Sequence, residues 1–141
     1  MYKHILIPTD GSPLSANAIE QGISLAKVLG AKVTGITVSI PFDTSALDPL
    51  MVRDTAEQYK KDCEDRAEKF LGPIRLAAEA AGVECAVVHV TADPHEGIID
   101  TALSRGCDLI VMASRGHKGV SALVLGSETL THSKIPVLVC R

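Results

Sequence analysis

Five short aliphatic segments alternate along the chain with segments of helical character, and this alternation constrains the fold more than any other feature. The aliphatic segments are residues 2–8 (YKHILIP), 32–40 (KVTGITVSI), 83–90 (VECAVVHV), 108–113 (DLIVMA) and 136–140 (PVLVC). In residues 108–113 the five residues after Asp108 are continuously apolar, as expected of a strand buried on both faces. Strict alternation with strands of this kind predicts an α/β fold, an open parallel sheet with helices on both faces.

Helix boundaries lie between the aliphatic segments. Ser12 is a candidate cap for a helix that starts at Pro13, and Gly30 is placed to close that helix. The sequence DPHE at 93–96 predicts a second capped start, because it combines an Asp, a proline at the first position and a Glu three residues after the Asp. A last short helix is expected near residues 127–133.

The segment 48–81 is the longest and most charged part of the chain. It is rich in Glu, Lys, Ala, Asp and Arg, which favour a helix. Gly72-Pro73 interrupts it, so we expect either two helices or one kinked helix. No linker or internal repeat divides the sequence, and residues 1–141 are therefore expected to form a single domain.

Composition argues against several classes of function. The 14 basic and 17 acidic residues give a net charge of −3, which provides no strong positive field for a nucleic acid or an anionic membrane. No stretch approaches the ~18 apolar residues of a membrane span, and the first residues do not resemble a signal peptide. The 4 cysteines lack close spacing, so reduced thiols and no metal site are expected. These features predict a soluble cytoplasmic protein.

Two segments follow predicted strands at the edge where parallel sheets bind their ligands. One is residues 8–12 (PTDGS), and the other is residues 111–128 (VMASRGHKGVSALVLGSE). Glycines in the second segment allow backbone N–H groups to converge on a phosphate, and a following helix N-terminus adds further donors. Spacing alone leaves two interpretations open, a phosphate cradle or turns without a ligand. Thr9 and Asp10 likewise suit either ligand contact or helix capping.

Two stretches resemble the universal stress protein family, "HILIPTDGSPLSANAI" at the start and "VMASRGHKG…LVLGSETLTHSKIPVLV" at the end. The resemblance covers nearly the whole chain. It implies a five-stranded parallel sheet in the order 3-2-1-4-5 with helices on both faces. ATP-binding members carry the pattern G-x-x-G, nine residues, then G-[ST]. Here Gly116, nine residues, and Gly126-Ser127 match the pattern, whereas Ala113 stands in place of its first glycine.

The resemblance also implies a nucleotide site, for ATP or AMP with or without Mg²⁺. Residues at the ends of the first two strands would border the adenosine, and Met112 and Ala113 would line the base and ribose. The glycine segment that follows would hold the phosphates. The implied nucleotide-binding residues are Pro8, Thr9, Asp10, Val38, Met112, Ala113, Arg115, Gly116, Gly126, Ser127 and Glu128, the last through its backbone. No catalytic or metal-ligating residue is expected.

Three functions follow as alternatives. The first is a stress-response or regulatory module that binds ATP or AMP with little or no hydrolysis. The second is a slow ATPase or autophosphorylating protein that uses Asp10, His117 or Ser127. The third is a dimeric module that has lost nucleotide binding, which Ala113 favours. In the family's strand order the last strand, residues 136–140, is an apolar sheet edge, and it predicts a homodimer.

Overall fold

The computed structural model describes residues 1–42, 49–114, 129 and 131–141, with the backbone alone for residues 49–55. The helix expected near residues 127–133 falls largely outside these ranges. Residues 129, 131 and 132 are helical, in agreement with the prediction.

The described chain alternates strands and helices in the predicted order. The elements are β1 (His4–Pro8), α1 (Pro13–Leu29), β2 (Lys32–Ser39), α2 (Pro49–Ala81), β3 (Cys85–Thr91), α3 (Pro94–Ser104), β4 (Leu109–Ala113) and β5 (Val137–Cys140). All strand pairs are parallel, and the sheet order is β3-β2-β1-β4-β5. The predicted fold class and strand order are therefore confirmed.

The boundaries of α1 are those that the sequence predicts. The Ser12 side chain accepts a hydrogen bond from the Ser15 backbone N–H at 3.2 Å, and Pro13 is the first helical residue. Gly30 ends the helix in the left-handed conformation, with φ of 67°, and its N–H donates to the Ala26 carbonyl. Glycine adopts this conformation without the steric cost that a side chain carries.

Helices α2 and α3 differ in detail from what the sequence predicts. α2 is one continuous helix with Pro73 in its interior, so the two-helix alternative is wrong. At the start of α3 the Asp93 side chain makes no capping hydrogen bond. Its Oδ1 instead lies 2.6 Å from Nδ1 of His95. The capping interaction predicted for Asp93 is therefore wrong, because the carboxylate is engaged by the neighbouring imidazole.

The core has two layers, one on each face of the sheet. Residues of opposite parity on each strand point to opposite faces, so Ile5 and Ile7 pack with α1 and α2, whereas Leu6 packs with Ile98 of α3. Both faces are covered, which explains why the strands are aliphatic without polar alternation. Each fully buried Ile or Leu contributes about 1.5–3 kcal/mol. This rigid sheet fixes the positions of the loops at its carboxyl edge.

Candidate functional site

The strand order reverses between β1 and β4, which are hydrogen-bonded neighbours although two strands separate them in the chain. Ile5 pairs with Leu109 and Leu6 with Ile110. Both strands therefore end at the same edge, where Thr9 and Asp10 follow β1 and Ser114 follows β4. In open parallel sheets this reversal creates the crevice in which ligands bind.

Asp10 is fixed at this crevice by the start of α1. Its Oδ1 accepts hydrogen bonds from the Ser12 backbone N–H at 3.0 Å and from the Ser15 hydroxyl at 2.7 Å. The Ser12 hydroxyl donates in turn to Ser15 Oγ at 3.0 Å. Asp10 therefore belongs to the capping network, as one of the two sequence interpretations requires. The same bonds hold its half-buried carboxylate in a single orientation.

Thr9 is tied to the sheet through its backbone. Its N–H donates to the Ile36 carbonyl at 2.9 Å, and its carbonyl accepts from the Thr37 hydroxyl at 3.0 Å. The Thr9 hydroxyl oxygen accepts from the Gly11 N–H at 3.2 Å. Gly11 has φ of 78°, a left-handed conformation that favours glycine. Thr9 is buried, and its bonds give the turn after Pro8 a defined shape.

Val38 lies near the end of β2 and is half-buried on the α3 face of the sheet. The neighbouring helix approaches closely, since a Cβ atom added to Gly97 would lie 3.0 Å from Val38 Cγ1. The adjacent Ser39 points to the other face, where its hydroxyl lies 2.7 Å from Nε2 of His89. Val38 thus presents an apolar surface near the carboxyl edge, and the polar Ser39–His89 pair lies on the opposite face of the sheet.

Met112 and Ala113 end β4 but face opposite sides of the sheet. Met112 is 3% exposed and packs with Leu6 and Ile110 in the α3-side core. Ala113 is 9% exposed and belongs to the core on the α1 side. At the carboxyl edge their backbone continues to Ser114, whose N–H donates to the Cys140 carbonyl at 2.8 Å.

The remaining predicted residues, Arg115, Gly116, Gly126, Ser127 and Glu128, lie outside the described ranges. Shortly after them, Thr129 is fully buried, and its hydroxyl has no hydrogen-bond partner among the described residues. A buried hydroxyl without a partner costs about 1–3 kcal/mol. Water or a bound ligand would remove that cost, so the environment of Thr129 is compatible with a polar ligand nearby.

Two further expectations concern metals and membranes. Among residues 1–42, 49–114, 129 and 131–141, no cluster of three or more His, Cys, Asp or Glu side chains is arranged to hold a metal ion. All 4 cysteines are free thiols, as expected, and burial raises the pKa of Cys107 to about 11. No helix in the described part of the chain has the length and apolar character of a membrane span.

Comparison with known proteins places this arrangement in a family. The sequence model described as "Universal stress protein family" matches residues 1–141. The chain belongs to this family. A relative, universal stress protein MJ0531 of Methanocaldococcus jannaschii, is 31% identical over 144 residues, covering 100% of this chain and 83% of the relative.

Solved structures share the fold. The structure of MJ0577, also from Methanocaldococcus jannaschii, superposes with a TM-score of 0.83 at 24% identity, covering 99% of this chain and 96% of that one. A universal stress protein in complex with cAMP gives 0.70 at 20% identity, with 99% and 97% covered. An Arabidopsis thaliana family member with AMP bound gives 0.69 at 16% identity, with 98% and 90% covered.

Sequence reasoning missed the role of Ser15. The residue pattern D-x-S-x-x-S over residues 10–15 was a usable signal, because a serine one turn into the helix can reach both the cap and the Asp two residues before the cap. Its buried hydroxyl connects Ser12 to Asp10 and thereby links α1 to the crevice.

Proposed function

We propose that this protein is a cytoplasmic universal stress protein that binds ATP or AMP in the crevice between β1 and β4, with a regulatory or stress-response role and little or no hydrolysis. The observation that carries this proposal is the Asp10 carboxylate, held by Ser12 and Ser15 where the strand order reverses. A carboxylate that is already oriented loses little conformational entropy when a ligand binds. The 4 cysteines are free thiols, three of them buried, and this suits a reducing compartment.

Each candidate residue has a chemical role in this proposal. The Asp10 carboxylate accepts hydrogen bonds from ribose hydroxyls or holds a water bound to Mg²⁺, and Pro8 and Thr9 shape the turn beneath it. Val38 provides an apolar wall for adenine. The backbone at Met112 and Ala113 borders base and ribose. The phosphates are bound by Gly116, Gly126, Ser127 and the Glu128 backbone, and Arg115 adds positive charge.

Family relatives support an adenine nucleotide as the ligand. The two solved relatives named above hold cAMP and AMP, which share adenosine and one phosphate. Ala113 adds one methyl group compared with the glycine of the family pattern, the smallest possible side chain. We therefore expect this substitution to lower affinity rather than to abolish binding.

Slow or absent turnover is part of the proposal. Efficient phosphoryl transfer relies on a positioned base and on cations at the phosphates, and no Walker-type lysine motif occurs in the sequence. The Ser39–His89 pair lies on the α2 face of the sheet, whereas Val38 lies on the α3 face. A single-turnover assay tests the point. Formation of ADP at about 1 per second or faster, a rate typical of enzymes, would show that the protein is an ATPase.

Thermal unfolding with and without nucleotide tests binding. A ligand at ~100 times its dissociation constant adds about 2.7 kcal/mol to the stability of a folded state that alone binds it. Both Mg-ATP and AMP are therefore expected to raise Tm. Asp10→Asn should reduce the shift, whereas Asp100→Asn, an exposed change on α3, should not. Gly126→Val should abolish the shift, since a side chain there fills the space of a phosphate. No Tm shift at millimolar nucleotide would refute the proposal.

A second proposal concerns assembly, and it rests on the exposed edge of the sheet. We propose a homodimer formed through residues 136–140, in which two copies of β5 pair antiparallel about a two-fold axis. Within the described sheet β5 pairs only with β4, and Leu138 is 44% exposed. An apolar edge strand offers unpaired backbone groups to another chain. Pro136 lacks an N–H, but it precedes β5, where no ladder bond is lost.

Sedimentation tests the dimer. Wild-type protein should sediment as a dimer at tens of micromolar, and Val137→Lys or Val139→Lys should weaken that dimer by placing charge at the interface. Lys134→Ala, outside the strand, serves as the control and should leave it intact. A monomeric wild type, or a dimer that neither lysine weakens, would rule out this interface.

A further inference from the structure

The amino ends of β1, β2 and β3 form a pocket at the edge of the sheet opposite the nucleotide crevice. Its volume is about 360 Å³. The polar and charged side chains that line it are those of His4, Lys32, Thr34, Glu84, Cys85 and Arg105. Lys32 and Val38 are six residues apart on β2, a separation of about 20 Å for an extended strand. The pocket is therefore distinct from the proposed nucleotide site.

Two cations border this pocket although the chain as a whole is acidic. Lys32 and Arg105 are both exposed, and neither forms an ion pair with a carboxylate in the part of the chain that the structure describes. The nearby Asp108 carboxylate is engaged, because it accepts hydrogen bonds from the backbone N–H groups of Lys3 and His4 at 2.9–3.1 Å. Glu84 is the one acidic side chain among the described lining residues.

A buried His–Thr pair forms the inner wall. His4 is 8% exposed and Thr34 is 2% exposed, and His4 Nε2 lies 2.7 Å from Thr34 Oγ1. Burial is the main cause that lowers the pKa of His4, and the positive charges of Lys32 and Arg105 lower it further. A hydrogen bond to the Arg105 backbone and the negative charge of Asp108 act in the opposite direction. With its own proton on Nδ1, the neutral His4 ring accepts the Thr34 hydroxyl hydrogen at Nε2.

We propose that this pocket binds a small oxyanion of the phosphate class between Lys32 and Arg105, with the Thr34 hydroxyl as a donor that His4 controls. When His4 takes up a proton, Nε2 becomes a donor to Thr34 Oγ1. The Thr34 hydroxyl hydrogen is then released and turns toward the pocket. The proton also adds one positive charge beside the anion. Protonation of His4 and binding of the anion therefore favour each other.

The size and chemistry of the pocket limit the ligand. A volume near 360 Å³ lies at the lower end of the range for small-molecule sites, roughly 300–1,000 Å³. The guanidinium of Arg105 matches two oxygens of a phosphate, and the ammonium of Lys32 supplies a second charge. Free phosphate and the phosphoryl group of a small metabolite share this chemistry, so the experiment includes both, with inorganic phosphate and glycerol 3-phosphate as the probes.

The test follows the His4 imidazole by NMR during pH titrations at equal ionic strength in chloride, sulfate or phosphate. Sulfate is included because its charge is constant over this pH range. The His4 titration midpoint should be higher in sulfate and phosphate than in chloride. If glycerol 3-phosphate raises it at lower concentration than inorganic phosphate does, the ligand is a phosphorylated metabolite. The reverse order identifies free phosphate.

Substitutions of the side chains that line the pocket make the test specific. Lys32→Gln and Arg105→Gln should each weaken anion binding about tenfold, the effect expected for one charge-assisted hydrogen bond. Thr34→Ser, which keeps the hydroxyl, should preserve binding, and Glu84→Gln should strengthen it. Lys27→Gln, a cation on α1 outside this pocket, is the matched control and should have no effect.

Two outcomes would overturn the proposal. One is a His4 midpoint that is the same in all three salts. The other is a shift that neither Lys32→Gln nor Arg105→Gln reduces, since that would be nonspecific ionic screening. Addition of ATP in chloride should leave the His4 titration midpoint unchanged. The anion proposal and the nucleotide proposal can therefore fail independently of each other.

Discussion

The Ser15 hydroxyl donates a 2.7 Å hydrogen bond to Oδ1 of Asp10, and this bond joins the first turn of α1 to the crevice between β1 and β4. Because Ser15 is buried, its loss leaves the Ser12 hydroxyl without its acceptor and Asp10 with one donor fewer. Ser15→Ala should lower the free energy of unfolding by about 1–2 kcal/mol, measured by urea denaturation. Ser24→Ala, exposed on the same helix, should change it by less than about 0.5 kcal/mol. Equal effects of the two variants would show that the network contributes nothing.

Gly22 has a different role, which is to let α1 approach β1. A Cβ atom added there would lie 2.6 Å from Cδ1 of Ile7, which is fully buried. Gly22→Ala should therefore destabilise the protein by about 1–3 kcal/mol, although alanine favours helices over glycine by about 1 kcal/mol. Ile7→Val removes the colliding methyl group, so the double variant should recover part of the loss. A stabilising Gly22→Ala would contradict this account.

Local patterns in the sequence predict most of the fold and less of the site. Period and composition located all five strands within two residues at each end, because both faces of the sheet are buried. Pro73 left α2 ambiguous, since the sequence does not reveal whether packing of Leu71 and Ile74 into the core holds the helix together across a proline. The Asp93–His95 contact depends on rotamers that no pattern encodes.

The candidate site, like the fold, was predictable from the sequence only in part. Strand ends are local features, so the sequence places Asp10 after the first strand and Val38 at the end of the second, and the structure has both at the carboxyl edge of the sheet. Side-chain direction is set by packing on both faces. The opposite orientations of Met112 and Ala113, and the bond between Ser39 and His89, therefore emerge only from the assembled sheet.

Acidification should weaken the fold through His4. Its pKa in the folded state is lowered below the ordinary value of 6.5, first by burial and then by Lys32. Between the two pKa values His4 binds a proton more readily in the unfolded chain than in the folded one. The stabilisation that comes from the neutral His4 is therefore fully present above pH 6.5 and is lost as the pH falls through the pKa of the folded state. Urea denaturation in chloride between pH 7.5 and 5 measures the loss, and NMR gives the His4 midpoint. A His4 midpoint at or above 6.5 in chloride would contradict the prediction.

The contribution of Asp108 to stability should be lost at lower pH than that of His4. Burial favours its neutral form, but the backbone N–H groups of Lys3 and His4 outweigh that effect and lower its pKa below 3.8. Its contribution is present above pH 3.8 and is lost as the pH falls through the folded value. Asp108→Asn should cost about 1 kcal/mol at pH 7, measured by urea denaturation. The two proteins should converge in stability near pH 2–3. A gap that stays constant down to pH 2 would assign the effect to something other than the charge.

Backbone amide NMR during a titration with Mg-ATP, repeated with AMP, tests the central claim most directly, because it reports both binding and its location. The largest shifts should fall on the carboxyl edge, at Thr9, Asp10, Gly11, Ser39 and Ser114. The amides of Lys32, Thr34 and Arg105 at the amino edge should stay unchanged. Saturation should occur below millimolar nucleotide, with Asp10→Asn weakening it. An unchanged spectrum at millimolar nucleotide, or shifts confined to the amino edge, would contradict the claim that this crevice binds an adenine nucleotide.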